Sequence, residues 1–337
     1  EEERNWVWGA IGRQAATRLA SEDAVGYFAR VSRNTDLSDD MLGWKVRAAL
    51  RAGSTPRWSQ VLAGINAMSE AARKEPVWVY WKARALLSST PQAAQGAVPT
   101  AQRAEALALL QSIASVRGFY EQLALEELGQ KITLPARPPT LTAEEKEAAR
   151  LIPGLNRGAY AIALGLRSEG VREWNYSTNL HTRGGMSERE LLAAAQFACD
   201  RSIWDRCINT SERTPNAFDA EQRFPTPFRE AVTRRSQGIG LDPAYVYGLI
   251  RQESRFIMDA RSHVGASGLM QVMPATARET ARHIGLAGFT ADQINDRDTN
   301  IVIGTAYLKR ALDDFGGSMP LAAAAYNAGP GRPRAWR

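Results

Sequence analysis

The 337-residue sequence predicts a mainly α-helical protein, an irregular α-superhelix or helical solenoid that leads into a compact helical domain with a small hairpin. Three observations carry this. Apolar residues recur at i, i+3 and i+4 through one short stretch after another, as in amphipathic helices of a few turns. Capping residues and helix-opening prolines stand in front of such stretches, as in Ser187-Glu-Arg-Glu190 and Asp242-Pro243. Only between Gly265 and Met273 do glycines bracket a short apolar run, and Leu269 to Met273 reads there as a small strand.

In chain order, Trp58, Val61, Leu62, Ile65 and Met68 form one stripe, Trp78, Trp81, Ala85 and Leu86 the next, and Ala106, Leu109, Leu110 and Ile113 a third. Neighbouring short helices of this kind bury their faces on one another, and without a strict repeat period they make an irregular superhelix. Ser88 to Thr100 is small and polar and reads as a surface loop, while Leu134 to Pro139, with three prolines, is extended chain. Helices resume at Ala143. Behind the Ser187 capping box, Leu191, Leu192, Ala195 and Ala198 carry an apolar face, and Trp174, Tyr176 and Trp204 read as core aromatics. Pro215, Pro225 and Pro227 punctuate the next segment, which gives a superhelix over residues 1–212, a junction over 213–236 and a second domain over 237–337. Within that domain a helix follows Pro274, Asp298 caps another from Thr299 to Asp314, Gly316-Gly317 ends it, and a last helix runs through Tyr326.

Composition narrows the function. With 42 Lys+Arg against 36 Asp+Glu the formal charge is +6, which favours polyanions, yet no zinc spacing or basic run interleaved with aromatics points to nucleic acid. No run of about 18 apolar residues offers a transmembrane helix, and the start, Glu-Glu-Glu-Arg, lacks the features of a signal peptide. His181, His263 and His283 are scattered, so neither a metal site nor a cofactor is expected. Cys199 and Cys207 would lie about 12 Å apart along one continuous helix, too far to bridge, whereas a reversal at Asp200-Arg201-Ser202 would bring them together.

The chemistry centres on the helix opened by Asp242-Pro243. Val246, Leu249, Ile250 and Glu253 stand at i, i+3, i+4 and i+7, which puts a carboxylate in line with the apolar stripe. Apolar surroundings disfavour the ionised form, so the pKa rises, and an acid still protonated near neutral pH can donate to a leaving group. Glu253 is therefore the candidate general acid. The plainer alternative is a glutamate turned to solvent or paired with Arg251 or Arg255. Glycosidases ordinarily use two carboxyls, yet Asp259 is the only acid between Phe256 and Ala277 and stands off the helical face of Glu253.

Glu253-Ser254, Gly268-Leu-Met-Gln271 followed by Met273-Pro-Ala-Thr-Ala277, and Ala325-Tyr-Asn-Ala-Gly329 resemble, in order and spacing, the motifs of the soluble lytic transglycosylases. The upstream helices resemble the superhelix of the large soluble members. The resemblance implies a lysozyme-like catalytic domain that cleaves the MurNAc-GlcNAc β-1,4 bond of peptidoglycan without water. A 1,6-anhydro sugar would form, with Glu253 as single acid and base. It implies substrate-binding roles for Ser262 and Gln271 near the cleavage point, sugar packing for Met273, orientation of the acid by the Tyr326 hydroxyl, and a cleft-building role for Asn327. It further implies a mature periplasmic form, glycan strands as the partner, and cell-wall enzymes as partners of the superhelix. Two departures stand out: Pro333 interrupts an expected helix, and the chain stops at Arg337 where family members run on, so the far-side sugar subsites are expected to be incomplete. A goose-type lysozyme-like hydrolase would instead need a water-activating carboxylate, and an inert superhelical binding scaffold would need no acid at all.

Overall fold

The computed structural model describes residues 1–89, 101–179 and 185–337. From residue 90 on, the loop expected to Thr100 lies outside the described residues, as does His181. The chain divides into two compact units, Glu1–Leu134 and Pro135–Arg337, and the division falls within the non-helical stretch around Leu134 to Pro139. A proline-rich segment has too few N–H donors to join a helix, so it separates the units.

In the first unit the described helices are α1 (Glu2–Thr17), α2 (Ser21–Phe28), α3 (Asp39–Arg51), α4 (Trp58–Asn66), α5 (Glu70–Arg73), α6 (Pro76–Ser88), α7 (Ala101–Ile113) and α8 (Phe119–Glu127). Successive helices pack as hairpins, α1 on α2, α3 on α4 and α6 on α7. The predicted stripes are the buried faces: Val61, Ile65 and Met68 of α4 with its following turn, Trp78, Ala85 and Leu86 of α6, and Ala106 and Leu110 of α7.

The second unit runs through α9 (Ala143–Arg150), α10 (Pro153–Ala163), α11 (Arg167–Asn179), α12 (Glu188–Cys199), α13 (Trp204–Ser211), α14 (Ala220–Arg223), α15 (Arg229–Gly238), α16 (Pro243–Glu253), α17 (Pro274–His283), α18 (Arg297–Asp314), α19 (Met319–Ala328) and α20 (Gly331–Trp336). Capping boxes open α9 (Thr142 with Glu145) and α12 (Ser187 with Glu190), each satisfying two backbone N–H groups reciprocally. Trp174 is fully buried with its indole N–H donating to Thr210 Oγ1 at 2.9 Å, whereas Tyr176, expected in the core, is 55% exposed. The two stand two positions apart on α11, so they face opposite sides. Segment 213–236 folds as α14 and most of α15, and Val232 is fully buried in the apolar cluster that includes Val246 and Ile250.

Three further expectations need correction. Asp296, not Asp298, caps α18, accepting from the Thr299 N–H at 2.8 Å, while Asp298 in the first turn pairs with Arg297. Leu269 to Met273 forms no strand. Isolated antiparallel bridges join Ser267 to Arg261 and to Val272, and the left-handed backbone of Gln271 (φ 48°) turns the chain before a ladder can extend. Pro333 sits inside α20 because it occupies the first turn, where a missing N–H breaks no bond.

Cys199 and Cys207 form a disulfide, with Cα atoms 5.1 Å apart, across the turn between α12 and α13. Ser202 (φ 58°) supplies the reversal anticipated at 200–202. Closing so short a loop in the unfolded chain stabilises by about 2.5 kcal/mol in the chain-entropy account. Cys199→Ala/Cys207→Ala should therefore lower the thermal midpoint of the second unit, and adding reductant to that variant should move it no further, as scanning calorimetry would show.

Candidate active site

Sequence places an acid on an apolar stripe, and the fold keeps it there. Asp242 caps α16 by accepting from the Ala244 N–H at 2.8 Å, and Val246 and Ile250 are buried in the core. Glu253 ends the helix, half-buried in register with them. Its carboxyl makes no hydrogen bond or ion pair among the described residues, and burial alone pushes its pKa above the usual carboxylate value. The cations nearest it in sequence are engaged elsewhere. Arg251 pairs with Glu212 and donates from Nε to the Arg223 carbonyl at 2.7 Å, and Arg255 lies 3.4 Å from the other Glu212 oxygen.

After Glu253 the chain turns sharply through two residues with left-handed backbone, Arg255 (φ 49°) and Phe256 (φ 67°). Such conformations are costly for bulky side chains and persist only where the surroundings enforce them. Here Ser254 Oγ accepts from the Phe256 N–H at 3.1 Å, and the Phe256 ring is buried in the core.

The loop that follows is closed by its own backbone. The Ser262 N–H donates to the Ala266 carbonyl and the Ala266 N–H to Ser262 Oγ, both at 2.9 Å, so one predicted binding hydroxyl already accepts an internal bond. Ser267 and Val272 exchange two bonds of 3.1 Å. Gln271 Nε2 donates to the carbonyls of Ala260 (2.9 Å) and Gly268 (2.8 Å), which uses both amide hydrogens and leaves Oε1 as the free group. Towards a ligand Gln271 is thus an acceptor. Met273 follows, 39% exposed, in the position before α17.

Tyr326 reaches this loop from α19. Its buried hydroxyl donates to the Met270 carbonyl at 2.8 Å, and its ring packs against Tyr307 with centroids 5.1 Å apart. Burial, then the neighbouring Glu253 charge, then Tyr307, raise the Tyr326 pKa well above its usual value. The hydroxyl proton belongs to Met270, so the tyrosine oxygen has only a lone pair to offer Glu253. Tyr326 is thus tied to the Gln271 turn and lies within the field of the Glu253 charge. Ser262 and Met273 stand on the same loop, and Asn327 is exposed beside Tyr326. Sequence reasoning missed Asn300 and Tyr307, which hold this arrangement from α18; their signal was a polar, small and aromatic series at i, i+4 and i+7 (Asn300, Gly304, Tyr307). Beyond the acid, Met258 and Asp259 enter a separate cleft of about 850 Å³ with Tyr160, Arg167, Trp204 and Asp205, which none of the predicted site residues lines.

Residues 230–337 match the family described as the transglycosylase SLT domain. Over 315 residues, 89% of the chain, the sequence is 30% identical to the soluble lytic murein transglycosylase of Salmonella typhimurium, and 29% identical to that of Escherichia coli K12. In both cases the match covers 46% of the relative, so the chain spans about half the length of the curated relatives it matches. Among solved structures, the lytic transglycosylase Slt of Pseudomonas aeruginosa, an inactive mutant, superposes with a TM-score of 0.79 at 31% identity, over 98% of this chain and 51% of that one. The 70-kDa soluble lytic transglycosylase of Escherichia coli gives 0.67 at 25% identity, over 98% of this chain and 55% of that one. These likenesses bear out the expected fold class, a mainly α superhelix with a lysozyme-like domain, and the resemblance to soluble lytic transglycosylases.

Two stability measurements follow from the geometry. Tyr326→Phe leaves the buried Met270 carbonyl without its donor and should cost about 1–3 kcal/mol in denaturant unfolding. Glu253→Gln should raise the thermal midpoint at pH 7. A carboxyl whose folded pKa is raised makes the native state bind more protons than the unfolded one, so its penalty grows as pH rises from the unfolded value through the folded one. The advantage of the glutamine variant should accordingly vanish in acid below the unfolded carboxylate range.

Proposed function

We propose, for a chain that shares sequence and fold with the soluble lytic murein transglycosylases, that it is a peptidoglycan lytic transglycosylase acting on glycan strands in the periplasm. The observation that carries the reading is a single half-buried carboxyl, denied its neighbouring cations and raised in pKa by burial, beside a polar turn. The catalytic domain is taken to begin after the junction at 213–236, inside the second compact unit.

Glu253, protonated, gives its proton to the glycosidic oxygen as the C1–O4 bond breaks, and the leaving sugar departs with a new hydroxyl. The substrate N-acetyl group shields the positive charge that develops at C1. The muramoyl O6 then closes on C1, its proton passes to the ionised Glu253, and the acid is restored. No water enters, and the product carries a 1,6-anhydro ring. An intramolecular nucleophile held in place substitutes for the second carboxyl of ordinary glycosidases, and no neighbouring acid contributes to the pKa of Glu253. Gln271 accepts a hydrogen bond from the sugar through Oε1, Ser262 and Asn327 contact it by their polar groups, Met273 packs against a ring, and Tyr326 fixes the acid. The net charge of +6 favours a wall polymer rich in carboxylates.

Digestion of purified peptidoglycan with product mass spectrometry tests this reading. Fragments lighter than hydrolysis products by one water are expected; fragments of full hydrated mass would assign a hydrolase instead. Glu253→Gln should lower turnover about 10²- to 10⁴-fold while glycan binding persists. Undiminished cleavage by that variant would remove Glu253 from its role.

A further inference from the structure

The turn that carries Gln271 hangs on a residue no ligand can touch. Asn300, in the first turn of α18, is fully buried, and its side chain spends every polar group on one small region. Its Oδ1 accepts from the Met270 N–H at 2.8 Å, and its Nδ2 donates to the carbonyls of Ser267 (3.0 Å) and Ile294 (2.8 Å). This pattern fixes the amide orientation, because an N–H needs the oxygen and two carbonyls need the nitrogen. No other side chain supplies it: aspartate lacks the donors, leucine lacks everything, and glutamine carries a methylene too many for a site with no free space.

The Met270 peptide is thereby held from two sides. Asn300 takes its N–H from α18, and the Tyr326 hydroxyl takes its carbonyl from α19. The approach is so close that glycine is required on both surfaces. A Cβ on Gly268 would lie 2.1 Å from Asn300 Nδ2, at a φ of +79° that disfavours side chains in any case, and a Cβ on Gly304 would lie 2.4 Å from Met270 Sδ. One turn beyond Gly304, Tyr307 packs on the Tyr326 ring.

We propose that Asn300 is a positioning residue for the glycan-cleaving site: it sets the Met270 peptide where Tyr326 reaches its carbonyl beside Glu253 and where Gln271 presents its free oxygen to substrate. The proposal rests on the transglycosylase reading, and its test separates the two. Asn300→Ala is compared with Leu155→Ala, a cavity variant at a fully buried position of the same compact unit, in an apolar cluster that includes none of the site residues named above. Thermal midpoints, kcat and KM on isolated glycan strands are measured well below both midpoints, together with hydrogen exchange at the Met270 amide. Asn300→Ala should lose kcat more than tenfold, with KM changed less, and exchange at Met270 should accelerate. Leu155→Ala should keep kcat within about twofold even at an equal loss of midpoint. Equal kcat in the two folded variants, or unchanged protection at Met270, overturns the proposal. A wild-type chain that does not cleave glycan overturns the functional reading, whereas the exchange result still decides whether Asn300 holds the turn.

If the alanine variant does not fold, Asn300→Asp replaces it. The carboxylate would face two carbonyls, so kcat relative to wild type should fall as pH rises and recover as the new carboxyl regains a proton and with it a donor. A ratio independent of pH overturns the proposal.

Discussion

Everything in the site follows from leaving one carboxyl without a partner where water is scarce. Removing a charge from water is expensive, and proteins usually offset that expense with a cation or several hydrogen bonds. Glu253 has neither, so it meets the penalty by holding its proton more tightly. That is the property a general acid needs, and it is bought with stability. The site is thus the place where local chemistry departs from what would make the fold most stable.

Such a carboxyl must sit against something rigid, and no regular sheet supplies that here. Instead the loop from Ala260 to Met273 is closed by short internal bonds and clamped by helices on either side: Gln271 back onto Ala260 and Gly268, Asn300 onto Ser267 and Met270, Tyr326 onto Met270. Left-handed residues at Gly265, Gly268 and Gln271 give the loop its shape, and their conformational preferences would not hold it without those bonds.

Much of this was legible in the residues, and the reasons for the remainder are physical. The cap at Asp242 and the Val246, Ile250, Glu253 register are local properties of one helix, so spacing alone located the acid on its buried edge. The Cys199 to Cys207 link could be framed as a question of whether the chain turns between them, and Ser202 answered it. What sequence could not reach was the exclusion of alternatives over distance. Leu269 to Met273 has the composition of a strand, yet a ladder needs a partner in register, and the turn at Gln271 prevents one. Asp296 and Asp298 both suit a cap, and only the path of the preceding turn at Ala291–Asn295 selects the first. Two of the three partners of Asn300, Met270 and Ser267, lie 30 and 33 residues away, beyond the reach of any helical spacing.

The isolation of Glu253 also depends on the helical hairpin that ends at Glu212. Glu212 follows α13 directly, and Arg251 and Arg255 flank the acid in sequence; left to themselves they are the nearest source of neutralising charge. Glu212 holds both, and Arg251 is further fixed by the Arg223 carbonyl while its guanidinium lies 4.6 Å from the centre of the Phe224 ring. Arg223 is in turn fixed by the carbonyls of Ser211, Thr214 and Ala217. This chain of bonds runs from the end of α13 through α14 to α16, so the hairpin closed by the disulfide presents the carboxylate that draws cations away from the acid. Without that glutamate Arg255 would lose its ion pair and Arg251 would keep only the Arg223 carbonyl and the Phe224 ring. Opposite charge within a few ångströms favours the ionised carboxylate, the form that has no proton to give.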